Sequence, residues 1–262
     1  MHTRPCSVAG MFYPQDPSHL EQLLEKLYRG KATDLDALGI VAPHAGYIYS
    51  GDVAAYAYTA IPATFSGTFV VIGPSHRGYL TCTSAIPWET PLGVIEVDSE
   101  FVRALDIKVD EASHRNEHSI EVQMPFIRYR FPHARVVPLM MGEQSLDSAK
   151  ALAEDILRAI ASTGQEVKIV ASSDFSHYVR EEMARRQDLY AIEALATLDV
   201  TGFYQRIEER GVSACGYGPI ASMCLVAQGM GARRGSLLRY STSGDVTADY
   251  DQVVGYGAIA VI

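Results

Sequence analysis

Positive charge is scarce in this chain: 22 Lys and Arg stand against 31 Asp and Glu, a net charge of −9 over 262 residues. Nucleic-acid backbones and anionic membrane surfaces are bound by clustered positive charge, so neither is an expected partner. Cysteine is scarce too. Cys6, Cys82, Cys215 and Cys224 form no Cys-x-x-Cys pair, which excludes a zinc ribbon and gives no reason for a disulfide framework. Long apolar runs are missing. The longest weakly polar stretch, Val253 to Ile262, falls far short of the roughly 20 residues that a spanning helix needs. Met1 to Pro14 carries one Arg and no apolar core of leader length, so the cytoplasm is the expected compartment. There is no internal repeat, low-complexity tract or Ser/Gly linker, and residues 1–262 read as one domain. Walker, Gly-x-Gly-x-x-Gly, His-Glu-x-x-His and Gly-x-Ser-x-Gly signatures are all absent.

What the chain does have is an ordinary globular balance, 48% hydrophobic and 20% charged, and this excludes a disordered or fibrous protein. Short β-branched runs at Leu38 to Ala42, Thr68 to Gly73, Arg135 to Met140 and Val167 to Ala171 are apolar at successive positions, as strands buried on both faces are. Helical patterns are read at Asp52 to Thr59, Ser119 to Tyr129, Leu146 to Ile160, Glu181 to Leu198 and Pro219 to Gly229. Two last strands are expected at Gly235 to Tyr240 and Gln252 to Val261. Leu80 to Asp98, with Pro87, Pro91 and Gly93, reads as a hairpin-like insertion able to cover a site. The alternation predicts an α/β fold with a mixed, largely parallel sheet and helices on both faces.

Three of the buried strands run into a His-bearing loop: Ala42-Pro43-His44, Gly73-Pro74-Ser75-His76 and Ser172-Ser173-Asp174-Phe175-Ser176-His177. Ligands of open α/β sheets bind just outside the carboxyl ends of the strands. Imidazole is the commonest metal ligand, so His44 and His76 point to a shared metal or substrate, against the alternative of histidines that satisfy their own turns. Cys215, in Ala214-Cys215-Gly216, is the candidate third ligand. It lies just ahead of a helix opening near Pro219, where the helix dipole favours thiolate; the alternative is a small buried hydrophobe. Asp174 and His177 suit a base oriented by a carboxylate, or else an N-cap with a solvated imidazole. His118 and Glu121, three apart, suit contacts to the metal ligands or to substrate if their segment is helical, or else a capping box on Ser119. Tyr47, Tyr49, Tyr178 and Tyr217 flank these residues and could line a pocket for an aromatic substrate.

Taken together, Val8-Ala9-Gly10-Met11-Phe12-Tyr13-Pro14, Pro43-His44-Ala45-Gly46-Tyr47, Gly73-Pro74-Ser75-His76, Glu117-His118-Ser119-Ile120-Glu121, Ser172 to His177 and Cys215-Gly216 resemble the Memo family over nearly the whole chain. The resemblance implies a three-layer α/β/α sandwich like that of the class III extradiol dioxygenases, which use non-haem Fe(II) and O₂ on catechols. It implies His44, His76 and Cys215 as metal ligands and His177, beside Asp174, as general base. The metal it implies is Fe(II) first, then copper or zinc, because a thiolate in place of the dioxygenase carboxylate softens the site. It also implies a redox role on a small aromatic substrate, or else a non-enzymatic scaffold whose vestigial site recognises a protein or peptide. A zinc-type hydrolase with His177 as base is a third reading. The prokaryotic relatives are similar to the B component of the AmmeMemoRadiSam system, which implies radical-SAM and AMMECR-type partner proteins.

Overall fold

Each apolar strand buries its two faces in two different cores. Ile40, Ala42, Phe69 and Val71 enter one cluster, while their neighbours Val41, Val70 and Ile72 enter the other. That alternation makes a three-layer arrangement, since side chains of a strand point to opposite faces at period two. The computed structural model describes residues 2–33 and 35–262.

In chain order the elements begin with α1 (Pro17–Tyr28), β1 (Gly39–Ala42), α2 (Tyr47–Thr59), β2 (Thr68–Pro74), β3 (Cys82–Thr83), β4 (Trp88–Thr90) and β5 (Gly93–Ile95). They continue with α3 (Ser99–Ala104), α4 (Glu111–His114), α5 (Met124–Arg130), β6 (Arg135–Met141), α6 (Leu146–Thr163), β7 (Val167–Ser172) and β8 (His177–Val179). Then come α7 (Glu181–Leu195), α8 (Val200–Arg210), α9 (Tyr217–Gly229), β9 (Gly235–Thr242), α10 (Gly244–Thr247) and β10 (Val253–Val261).

The main sheet runs β3-β6-β2-β7-β1-β10-β8, with β9 on β10. Strands β6, β2, β7 and β1 are mutually parallel, and the flanking β3, β8, β9 and β10 pair antiparallel, so the sheet is mixed with a parallel centre. Helices α3, α6, α7, α8 and α9 cover one face through Phe101, Leu152, Ile156, Leu195, Phe203 and Met223. Helices α1, α2 and α5 cover the other through Leu20, Leu24, Val53, Tyr58 and Phe126. Each fully buried side chain of this size contributes about 1.5–3 kcal/mol of transfer free energy. Among the described residues, no helix is long and apolar enough to cross a membrane.

Four differences from the sequence-based expectation have physical causes. Helix α2 begins at Tyr47, five residues early. Gly51 is therefore inside the helix, where a Cβ would stand 2.9 Å from Leu27 of α1; it permits close packing and marks no turn. The segment read as a helix from Ser119 is a 3₁₀ turn at Glu121–Gln123 followed by α5, in whose first turn Pro125 sits because it has no N–H to offer an earlier one. Helix α9 starts at Tyr217 with Gly216 at the N-cap, two residues before Pro219. The Leu80 to Asp98 insertion does form a hairpin, β4 with β5, but it lines no part of the central cavity. That cavity is bordered by the β9–β10 connection through Ser243, Thr247 and Gln252.

Candidate metal centre

Because β1, β2 and β7 are parallel neighbours, their carboxyl ends deliver His44, His76 and Asp174 to one edge of the sheet, each two residues past its strand. They open onto a cavity of about 570 Å³ whose lining also includes Phe12, Tyr49, His118, His177, Tyr178 and Tyr256.

The hydrogen bonds set the tautomers of the rings. Ser172 Oγ donates its single proton to the Ser119 carbonyl, 2.6 Å away, and accepts from Gln123 Nε2 at 2.8 Å. Its remaining contact, His44 Nδ1 at 2.9 Å, must then be a donor, which leaves His44 Nε2 with a lone pair. Glu117, almost fully buried, accepts from His76 Nδ1 at 2.9 Å and from the backbone N–H groups of His76, His118 and Ser119 at 2.8–3.0 Å. Burial pushes its carboxyl up, but the hydrogen bonds from the His76 ring and the Ser119 N–H outweigh this and hold it at about 2. An ionised carboxylate only accepts, so His76 also keeps Nε2 free. His118 Nδ1 is 3.4 Å from the same Glu117 oxygen, and Phe12 packs on the His118 ring. A buried carboxylate shared in this way is the usual means of orienting metal-binding imidazoles.

Among the described residues, His44, His76 and His118 are the group able to share an ion: their ligand atoms lie within 4.8 Å of one another. Burial, then the neighbouring His76 ring, lowers the pKa of both His44 and His118, so both are neutral and fit to ligate. Nitrogens bound to one ion at about 2.1 Å lie within about 4.2 Å of each other, so a small inward rotation suffices. The donor set fits a metal that accepts imidazole.

Cys215 stands outside that group but touches it. Its Sγ is 3.2 Å from His44 Nε2 and accepts the Asp174 N–H at 3.2 Å. Burial and the Asp174 carboxylate push the thiol up, against the weaker pull of the Asp174 N–H and Ser173. The Asp174 carbonyl lies 3.6 Å from the same Sγ.

His177 lines the cavity as expected, but Asp174 does not orient it. Ser213 does, accepting from the His177 ring through its carbonyl at 2.9 Å and from the His177 N–H through its Oγ at 2.8 Å. A carbonyl only accepts, so Nδ1 carries the proton and Nε2 is left basic toward the cavity. Asp174 instead accepts the His44 N–H at 2.8 Å, and burial raises its carboxyl pKa. Neither Asp174 nor Ser176 caps α7, whose N-cap is Arg180.

His118 and Glu121 part company because their segment is not a continuous helix. Glu121 lies outside the cavity lining, with both oxygens occupied by Arg4, by Ser7 and Val8 N–H groups, by Ser7 Oγ and by Tyr13. It is the anchor of the N-terminal segment. The capping-box alternative fails as well, since Ser119 Oγ donates to the Pro74 carbonyl. Of the four flanking tyrosines, Tyr49 and Tyr178 line the cavity, whereas Tyr47 is buried on the Val122 carbonyl and Tyr217 packs edge-on against Tyr204. Sequence reasoning missed Glu117, Ser172, Ser213, Phe12 and Tyr256. Glu117 left a signal as an acid directly preceding His118, and Phe12 and Ser172 stood within the motif blocks without a role of their own.

Tyr178 is 73% exposed at the cavity mouth and holds a left-handed φ of 57°. For a bulky residue this conformation costs roughly 1–2 kcal/mol. Tyr178→Gly is therefore expected to stabilise the protein by about 0.5–1 kcal/mol in urea unfolding. A loss of stability would show that the ring makes contacts worth more than the strain.

The family profile described as Memo-like protein matches residues 4–260. A MEMO1 family protein of Methanosarcina barkeri is 44% identical, over 98% of this chain and 99% of its own length. Another from Archaeoglobus fulgidus is 44% identical over 96% and 97%, and one from Methanopyrus kandleri is 40% identical over 98% of each. With that coverage of both partners, and with the motif histidines gathered at one sheet edge, the chain belongs to the Memo family.

Proposed function

We propose that this protein is a metal-dependent redox protein that binds iron(II) on His44, His76 and Cys215, with His118 as a further nitrogen within reach. The observation that carries the reading is the convergence of three imidazoles from separate segments, two of them with Nδ1 pinned so that Nε2 is free. Iron is preferred from the likeness to the dioxygenases, while imidazole with sulfur also accommodates copper and zinc. Bound iron(II) would supply Lewis acidity and a one-electron couple. A cation beside His44 would also favour the thiolate of Cys215.

The chain's own residues would do the rest. Phe12, Tyr49, Tyr178 and Tyr256 offer faces to a small aromatic substrate, and His177 Nε2 would accept a proton from its hydroxyl. The four cysteines are unpaired, in keeping with a reducing cytoplasm. Metal content of the protein purified without a histidine tag tests the reading. About one equivalent per chain is expected, falling below a tenth in His44→Ala and His76→Ala, with a smaller fall in Cys215→Ser. Unchanged content in the histidine variants would remove the ligand assignment. Oxygen uptake with catechol that is no higher than in His177→Ala would remove the catalytic part.

A further inference from the structure

The fourth parallel strand, β6, contributes no histidine, yet its carboxyl end also reaches the site. Three residues beyond it stands Gln144, with both ends of its side-chain amide engaged. Nε2 donates to the Cys215 carbonyl at 2.8 Å, and Oε1 accepts the Gly218 N–H at 2.8 Å. The Gln144 carbonyl in turn accepts the Tyr204 hydroxyl at 2.8 Å.

We propose that Gln144 is a positioning residue for Cys215, a role that rests on the reading of Cys215 as part of the metal centre. Helix α9 opens on Gly216, which has no side chain with which to cap it. The first-turn N–H of Gly218 needs an acceptor, and Gln144 supplies one from 74 residues away. The same amide holds the carbonyl of Cys215. Fixing that peptide plane fixes ψ of Cys215, and with it the direction in which Sγ leaves the backbone. On the other side of the loop, Ser173 Oγ accepts the Gly216 N–H at 2.9 Å, and the Cys215 N–H donates to the Asp174 carbonyl at 3.2 Å. Cys215 is thus clamped between the ends of β7 and β6. The fit admits no bulk: a Cβ on Gly216 would lie 2.5 Å from the Ser172 carbonyl, and one on Gly218 would lie 2.8 Å from Gln144 Cβ. The 3.2 Å approach of the thiol to His44 Nε2 is a product of that clamp.

Two variants separate positioning from folding. Gln144→Met keeps the volume and removes both bonds. Gln144→Glu keeps an acceptor for Gly218 and removes the donor to Cys215. The full-length protein, stripped of metal by a chelator, is treated with iodoacetamide at pH 8, and each cysteine is followed by peptide mass spectrometry. Both variants are expected to raise the alkylation rate of Cys215 by about tenfold, as the loss of about one hydrogen bond's worth of restraint implies. Cys82 and Cys224, both buried, act as internal reporters of unfolding and should not change. An unchanged rate at Cys215, or a parallel rise at all three, would overturn the proposal. The assay uses no metal. Failure to find metal in the unmodified protein would overturn the centre, while these rates would still decide the role of Gln144.

Discussion

Glu117→Ala is expected to weaken metal binding by about 10- to 100-fold, the usual effect of losing an orienting carboxylate. One buried side chain holds the His76 ring through Nδ1, sits 3.4 Å from His118 Nδ1, and accepts three backbone N–H groups from the two loops that carry these histidines. Alanine removes all of these contacts and leaves donors short of partners, so stability should also fall, by roughly 2–4 kcal/mol. Glu117→Gln retains one acceptor oxygen and should lose less of both. Competition with a chromophoric zinc chelator would give the affinities, and urea unfolding the stabilities. Equal metal affinity in wild type and Glu117→Ala would mean that the histidines are held by other means.

Arg4→Met is the second large effect, expected to cost about 3–5 kcal/mol because it strands a buried carboxylate. Arg4 and Glu121 are 3% and 0% exposed and 2.7 Å apart. Arg4 also donates to the carbonyls of His114 and Glu117 at 2.9 Å and lies over the Trp88 ring, so it ties the N-terminal segment to the stretch that presents Glu117. The double variant Arg4→Met with Glu121→Met, which removes both charges, should recover part of the loss. If the double variant is no better than the single one, lost packing and not the stranded charge is the cause.

The acid limb of the stability curve carries the same signature. Burial pushes the Glu121 carboxyl up, but Arg4 and the Ser7 and Val8 donors outweigh burial and hold it below its ordinary value. A carboxyl depressed on folding adds stability that is fully present above its unfolded pKa, about 4.5, and is lost as pH falls below that. Glu121→Gln should therefore be less stable than wild type at pH 7, and the gap should narrow steadily below pH 4.5 in urea unfolding. A gap independent of pH would show that the ionised form is not the stabilising one.

Much of this architecture was legible along the chain. The four parallel strands lie within about a residue of their expected ends, because a strand buried on both faces must be apolar at every position. Helices α1 and α8 went unread although Asp16 and Asp199 cap them by accepting from His19 and Gly202. The periodic signal was present in both, since Leu20, Leu23, Leu24 and Leu27, and likewise Val200, Phe203, Tyr204 and Ile207, recur at helical spacing. For His118 and Glu121 the cause was different. Three-residue spacing means a common face only on a continuous helix, and the 3₁₀ turn at Glu121–Gln123 sends one residue to the cavity and the other to Arg4.

Composition and periodicity settle the class of fold, the direction of the parallel strands and the loops in which His44, His76, Asp174 and His177 must sit, because these follow from local burial and backbone geometry. They do not determine distances through space. The adjacency of His44 and His76 depends on β7 lying between β1 and β2, and the Ser172 contact depends on the pairing of Ala42 with Ser172. Glu117 as a shared orienting carboxylate, Ser213 and not Asp174 behind His177, the contact of Cys215 with His44 and the reach of Gln144 to Cys215 all join residues distant in sequence. Side-chain chemistry at such a centre is set by which groups the packed sheet brings within hydrogen-bond range and removes from water, and no local pattern records that.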